Sequence, residues 1–272
     1  MRRWRQIETC ARVFDCESLG NWHHMKVRLK MAEKLGFFET GSLVDVGCGR
    51  GRYLSYFIER YGIPFCVGLD ISMKAVRDAK ELLKGQSCVD FVVADAENLP
   101  FKDSSFDFVF STDVVEHLHD PSKGVKEMVR VSRDKIVIAT PNKLCPIDMS
   151  RVARVLTHHH PPSIERYLTK FQLNEMLQCA GLRRENILIR ESSFFPLGWL
   201  LVHVKLKIPN KIFRMLLLAE DILEKTPLRH IAGVIIACCQ KSQNLVKGDI
   251  RDIPSPSMRI IKFHNFLSSV SR

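Results

Sequence analysis

The chain has 272 residues, 46% of them hydrophobic and 26% charged, with a formal net charge of +11. Its nine cysteines are odd in number and contain no C-x-x-C pair, which suits reduced thiols in an intracellular protein better than a disulfide framework. No run approaches eighteen uncharged apolar residues and the start, MRRWRQIETCARVF, lacks an apolar h-region, so neither a transmembrane helix nor a signal peptide is expected, and the expected location is cytoplasmic.

The length suits one large domain or one domain with a substantial insert. Basic residues gather at both ends, among them Arg2, Arg3, Arg5 and Arg12, then Lys247, Arg251, Arg259 and Lys262. Such a surface favours an anionic membrane face or nucleic acid, and reads equally as a solvated basic exterior.

In chain order, a helical segment within residues 1–40 is expected around Met25 to Gly36. Apolar runs then alternate with helical patterns. Strands are predicted at Leu43–Gly47, Phe65–Asp70, Val89–Ala94, Phe106–Ser111 and Lys135–Thr140. Ser72 is placed to cap a helix from Met73 to Lys84 that Gly85 stops. Asp120 and Pro121 suit the N-cap and first position of a helix through Val131. Residues 141–168 carry prolines and His158, His159 and His160, and read as an irregular, exposed connection. Thr169 and Gln172 have capping-box spacing for a helix ending at Gly181.

Asn186–Arg190 and Gly233–Cys239 read as sixth and seventh strands. The residues between them, 191–232, form a cap insertion. It holds an alternating stretch (Val202, Val204, Leu206, Ile208). A helix starting at Asn210 follows, with Ile212, Phe213, Leu216, Ala219 and Leu223 on one face. Residues 242–272 read as a basic, loosely held tail beyond a domain of residues 1–241. The expected class is α/β: a Rossmann-like, doubly wound, mostly parallel seven-stranded sheet with an antiparallel edge strand.

Four motifs carry the chemistry. The first is LVDVGCGRGR, residues 43–52, with Gly47, Gly49 and Gly51 at alternate positions after Asp45. Glycine lets the chain turn sharply and bring its backbone against a ligand. Asp70 ends the second strand, where a carboxylate can accept both hydroxyls of a ribose or cap the next helix. Asp95 follows the third strand, and the fourth runs into FSTDVVEHLHDP. The first motif is not the dinucleotide fingerprint, whose spacing is G-x-G-x-x-G.

Together these motifs resemble those of class I S-adenosylmethionine (SAM) dependent methyltransferases. The stretch Asp95 to Phe101 is similar to the type 11 small-molecule branch, which includes ubiquinone and menaquinone biosynthesis enzymes. The resemblance implies SAM as methyl donor. It gives Asp45, Gly47, Gly49 and Gly51 to the methionyl end, Asp70 to the ribose, Asp95 and Ala96 to the adenine, and Thr112 to a backbone contact. Ile71 would pack on the adenine. Arg28 would approach the SAM carboxylate.

Asp113, Glu116 and His117 share one face if the segment is helical, a spacing similar to the cation-binding E-x-x-E-H of the quinone O-methyltransferases. It implies either a divalent cation such as Mg, with Asp shortening the first ligand, or His117 as general base, or simple packing. The expected partner is a small-molecule acceptor, lipid-like or quinone-like, with peripheral contact to an anionic membrane. Methylation of tRNA or rRNA and a non-catalytic SAM-fold scaffold are the alternatives.

Overall fold

The computed structural model describes residues 41–146, 166–193 and 210–241, together with most of residues 25–37. Five helices and seven strands are labelled here. They are β1 (Ser42–Val46), α1 (Arg52–Tyr61), β2 (Phe65–Asp70), α2 (Met73–Leu82), β3 (Val89–Val93), β4 (Phe106–Thr112), α3 (Pro121–Val131) and β5 (Ser132–Pro141). Then come α4 (Lys170–Cys179), β6 (Ile187–Ser192), α5 (Asn210–Leu223) and β7 (Val234–Gln240). The described residues between 25 and 33 are helical as well.

The strands form one sheet in the order β3-β2-β1-β4-β5-β7-β6. β1 to β5 pair parallel, whereas β7 pairs antiparallel with both β5 and the edge strand β6. Strand order reverses between β1 and β4. This is the switch point where loops from adjacent strands part and leave a crevice at the carboxyl ends.

Both faces of the sheet are covered, because alternate residues of each central strand are apolar on either side. Val44, Val46, Val109, Ile136 and Ile138 pack beneath α3 and α4. Leu43, Phe108, Phe110 and Val137 pack beneath α1 and the helical residues 25–33. Phe57 meets Phe110 edge-on at 4.9 Å, which fixes α1 against β4. Asp45 lies on this same face, on the strand that leads into the glycine loop.

The predicted caps form. Ser72 Oγ accepts from Ala75 N–H, and Asp120 accepts from Lys123 N–H with Pro121 at the helix start. Thr169 and Gln172 form a reciprocal capping box on α4. Thr169→Ala removes it and is expected to lower stability by about 1 kcal/mol, read as a shift in a urea unfolding midpoint with unchanged slope.

Two expectations are corrected. Residues 113–117 are not an α-helix: Asp113 sits at φ 56°, in the left-handed region, and Val115–His117 is a single 3-10 turn. A left-handed residue at its start breaks the i, i+4 ladder a helix needs. On α5, Ile212 departs from the face it was expected to share and is exposed, whereas Leu216, Ala219 and Leu223 on that face are half-buried. The His158–His160 triplet, the Val202–Ile208 alternation and the tail from 242 lie outside the described residues.

Candidate functional site

The glycine loop is tied to the end of β2 by its own backbone. Gly47 and Cys48 N–H both donate to Leu69 O, at 2.7 and 2.9 Å, and Gly51 N–H donates to Cys48 O. Gly47, Gly49 and Gly51 all have positive φ, and Gly51 is the left-handed N-cap of α1. The next N–H in the loop, Gly49, donates to Asp70 Oδ2 at 2.8 Å. Asp70 Oδ1 accepts from Ser72 N–H at 2.8 Å. One carboxylate therefore joins the glycine loop to the start of α2. Each of its oxygens keeps a further lone pair for a ligand hydroxyl.

Asp45 is 1% exposed, and its Oδ2 has no hydrogen-bond partner. Burial, with the nearby Asp70 charge, pushes its carboxyl up to about 8. A buried oxygen without a donor is costly in isolation, which makes it a ready acceptor for a cationic ligand. In front of the loop the space is open: a Cβ built on Gly49 would meet no atom within 4 Å. On the other side the fit is tight, because a Cβ on Gly47 would lie 2.0 Å from Val114 Cγ2.

Beyond β2, Ile71 is exposed beside Asp70. Ala94 N–H donates to Asp70 O, which holds the end of β3 beside that of β2. Asp95 Oδ1 accepts from Glu97 N–H at 2.8 Å in a tight Asx turn, and Ala96 is buried. Glu97 in turn accepts from His119 and Asp120 N–H, fixing this loop against the start of α3.

At the end of β4, Thr112 is buried and the chain turns out through Asp113, whose N–H donates to Ala139 O. Arg28 Nη2 donates to Asp113 Oδ1 at 2.6 Å, so the helical residues 25–33 reach the end of β4. Burial disfavours the Arg28 charge, but Asp113 and its neighbours raise the guanidinium pKa overall. Glu116 is buried, and Thr140 Oγ1 donates to its Oε2 at 3.0 Å. Burial and the Asp113 charge push the Glu116 carboxyl up.

Asp113, Glu116 and His117 do not form a metal group; among the described residues no cluster of three or more His, Cys, Asp or Glu could hold one. Asp113 is held by Arg28, Glu116 is held by Thr140, and the 3-10 turn does not bring the three onto one helical face.

Sequence reasoning missed a second cluster at the carboxyl end of β6. Glu191 is buried, and its Oε1 accepts from Lys170 Nζ at 2.8 Å and lies 3.0 Å from His230 Nδ1. Burial alone would raise its pKa, but the hydrogen bonds with Lys170 and His230 bring it below the usual carboxylate value. Asn142, just past β5, donates to His230 O and Ala232 O. The partners lie up to sixty residues apart in sequence, between Lys170 and His230, with no motif spacing to announce them.

A sheet of this order, with a glycine loop after β1 and carboxylates ending β2 and following β3, is the class I SAM-dependent methyltransferase fold. Residues 44–138, about a third of the chain, match a family described as "Methyltransferase domain". Over 94 residues the chain is 38% identical to norajmaline N-methyltransferase of Rauvolfia serpentina, covering 34% of this chain and 32% of that one. Over 103 residues it is 40% identical to the chloroplastic tocopherol O-methyltransferase of Arabidopsis thaliana, covering 36% and 29%. The match thus spans about a third of the length of these curated relatives. A SAM-dependent methyltransferase structure from Aquifex aeolicus superposes with a TM-score of 0.51 at 18% identity, covering 78% of this chain and 88% of that one, a likeness of fold.

Proposed function

We propose that the chain is a SAM-dependent methyltransferase whose acceptor is a small molecule, lipid-like or quinone-like, methylated at a hydroxyl or carbon. The observation that carries the reading is the orphaned Asp45 oxygen beside an open glycine loop that Asp70 braces. The pieces fit the donor: a buried acceptor for its ammonium, a carboxylate for its ribose, and Ile71, Asp95 and Ala96 for its adenine. The relatives methylate through an N and an O, by their names. Their matched part is the stretch that would hold the donor, so it leaves the acceptor open.

SAM, when bound, supplies a methyl group on a sulfonium already activated for in-line displacement. The chain's own residues supply alignment, water exclusion and proton removal. Asp45, the loop and Asp70 fix the donor, Thr112 contacts it through its backbone, and Arg28 faces its carboxylate. The acceptor lies over the ends of β4 and β5, beside Glu116 and Thr140. For a hydroxyl acceptor, His117 takes the proton.

The proton on Asp45 gives the test a sign. A cationic ligand favours the ionised carboxyl, so below about pH 8 binding must expel a proton. SAM affinity measured by titration calorimetry is expected to rise with pH from 6 to 8, by up to about tenfold per unit. Asp45→Asn should bind more weakly at pH 8 and lose that dependence. In the unliganded protein the folded state keeps a proton the unfolded state releases, so this group's contribution to stability is lost as pH rises from about 4 to 8. A pH-independent SAM affinity that Asp45→Asn leaves intact would refute the assignment. Formation of S-adenosylhomocysteine with phenol, quinol and amine acceptors separates an enzyme from a SAM-binding scaffold.

A further inference from the structure

α5 faces the wrong way for a helix on a water-facing surface. Glu220 is 5% exposed, whereas Ile212, Met215, Leu218 and Ile222 are 49, 60, 51 and 65% exposed. At 3.6 residues per turn these four cover one arc of roughly a third of the helix, and Glu220 lies on the far side. Leu228 and Ile231, in the 3-10 turn that packs beside α5, are exposed too. A contiguous apolar arc of this kind marks a surface that something covers.

The charge of the sequence through α5 and its flanks says what. From residue 205 to 229 the sequence carries Lys205, Lys207, Lys211, Arg214, Lys225 and Arg229 against only Glu220, Asp221 and Glu224. Glu220 is buried, Glu224 is half-buried and accepts the Ser192 hydroxyl, and Arg229 is half-buried with its Nε enclosed, so two of the three acids and one of the six cations turn inward. A second copy would bring its own +11 to the contact, which argues against a homodimer through this face. An anionic bilayer complements both features, taking the apolar arc between its headgroups while the cations meet the lipid charge. Among the described residues no helix is long and apolar enough to cross a membrane.

We propose that the outward face of α5, centred on Met215 and Ile222, docks the protein on an anionic lipid surface. This needs neither SAM nor an acceptor and stands apart from the methyl-transfer reading. The test is flotation of the full chain with vesicles of phosphatidylcholine alone or with about 30 mol% phosphatidylserine. Wild type should float with the anionic vesicles, less so as salt rises, and scarcely with the neutral ones. Met215→Glu combined with Ile222→Glu should reduce flotation at least tenfold. The substituted side chains are exposed, so the fold should hold; Met215→Ser with Ile222→Ser is the milder pair if it does not. SAM titration on the same samples reports the donor site separately and should be unchanged. Absence of wild-type flotation, or equal flotation by the substituted proteins, overturns the proposal. So does a wild-type dimer that the double variant splits while flotation is retained.

Discussion

Asp70→Ala is expected to weaken SAM binding by more than about 100-fold, or about 3 kcal/mol, in titration calorimetry. Two losses add. The first is the pair of charge-assisted hydrogen bonds proposed to the ribose, each worth about 1.5–3 kcal/mol. The second is the loop itself, because the same carboxylate receives Gly49 N–H and Ser72 N–H. Without it the Gly49 amide has no fixed partner, and the loop must be ordered at the ligand's expense. Stability should fall by about 1–2 kcal/mol, a drop in Tm of a few degrees for a domain of this size. Asp70→Asn keeps one acceptor oxygen but turns an NH2 toward one of the two amides, and should fall between wild type and Ala. SAM affinity within twofold of wild type in Asp70→Ala would remove Asp70 from the donor site.

The glycine loop gives the second large effect, as a contrast between two neighbours. Gly47→Ala must place a methyl 2.0 Å from Val114 Cγ2 at a φ of 78°. The left-handed backbone alone costs about 1–2 kcal/mol, and Val114 must move as well. Thermal unfolding should therefore show a Tm lower by about 5–10 °C, with SAM binding lost alongside. Gly49→Ala adopts φ 51° but meets nothing within 4 Å, so its stability cost is the backbone term alone. Its methyl projects into the open space in front of the loop, where the donor is placed. Binding should fall by more than tenfold while Tm changes by only a few degrees. If Gly49→Ala binds SAM as wild type does, the donor lies elsewhere.

Much of the fold was legible because the signals were local. β2 and α3 fall where the alternation, Asp120 and Pro121 put them, and the capping box at Thr169 and Gln172 forms. Parallel strands buried on both faces read as apolar runs, and caps read as single residues at fixed offsets. The 113–117 segment misled for a physical reason. Its i, i+3, i+4 spacing suits a helix, but Arg28, eighty-five residues away, ties Asp113 in a left-handed turn. The exposure of Ile212 on α5 was equally hidden, since the pattern of Asn210–Leu223 has apolar residues on more than one side and only packing decides which are covered.

By itself the sequence determined the doubly wound sheet, the glycine loop after β1 and the carboxylate that ends β2, because a glycine turn after one strand and a carboxylate at the end of the next are set by backbone geometry within a short span. Only the tertiary structure decided the rest. It left one Asp45 oxygen without a donor, made Asp70 the brace of the loop, gave Asp113 to Arg28, and joined Lys170, Glu191 and His230. Those outcomes depend on burial and on partners distant in the chain, and neither is encoded in local spacing.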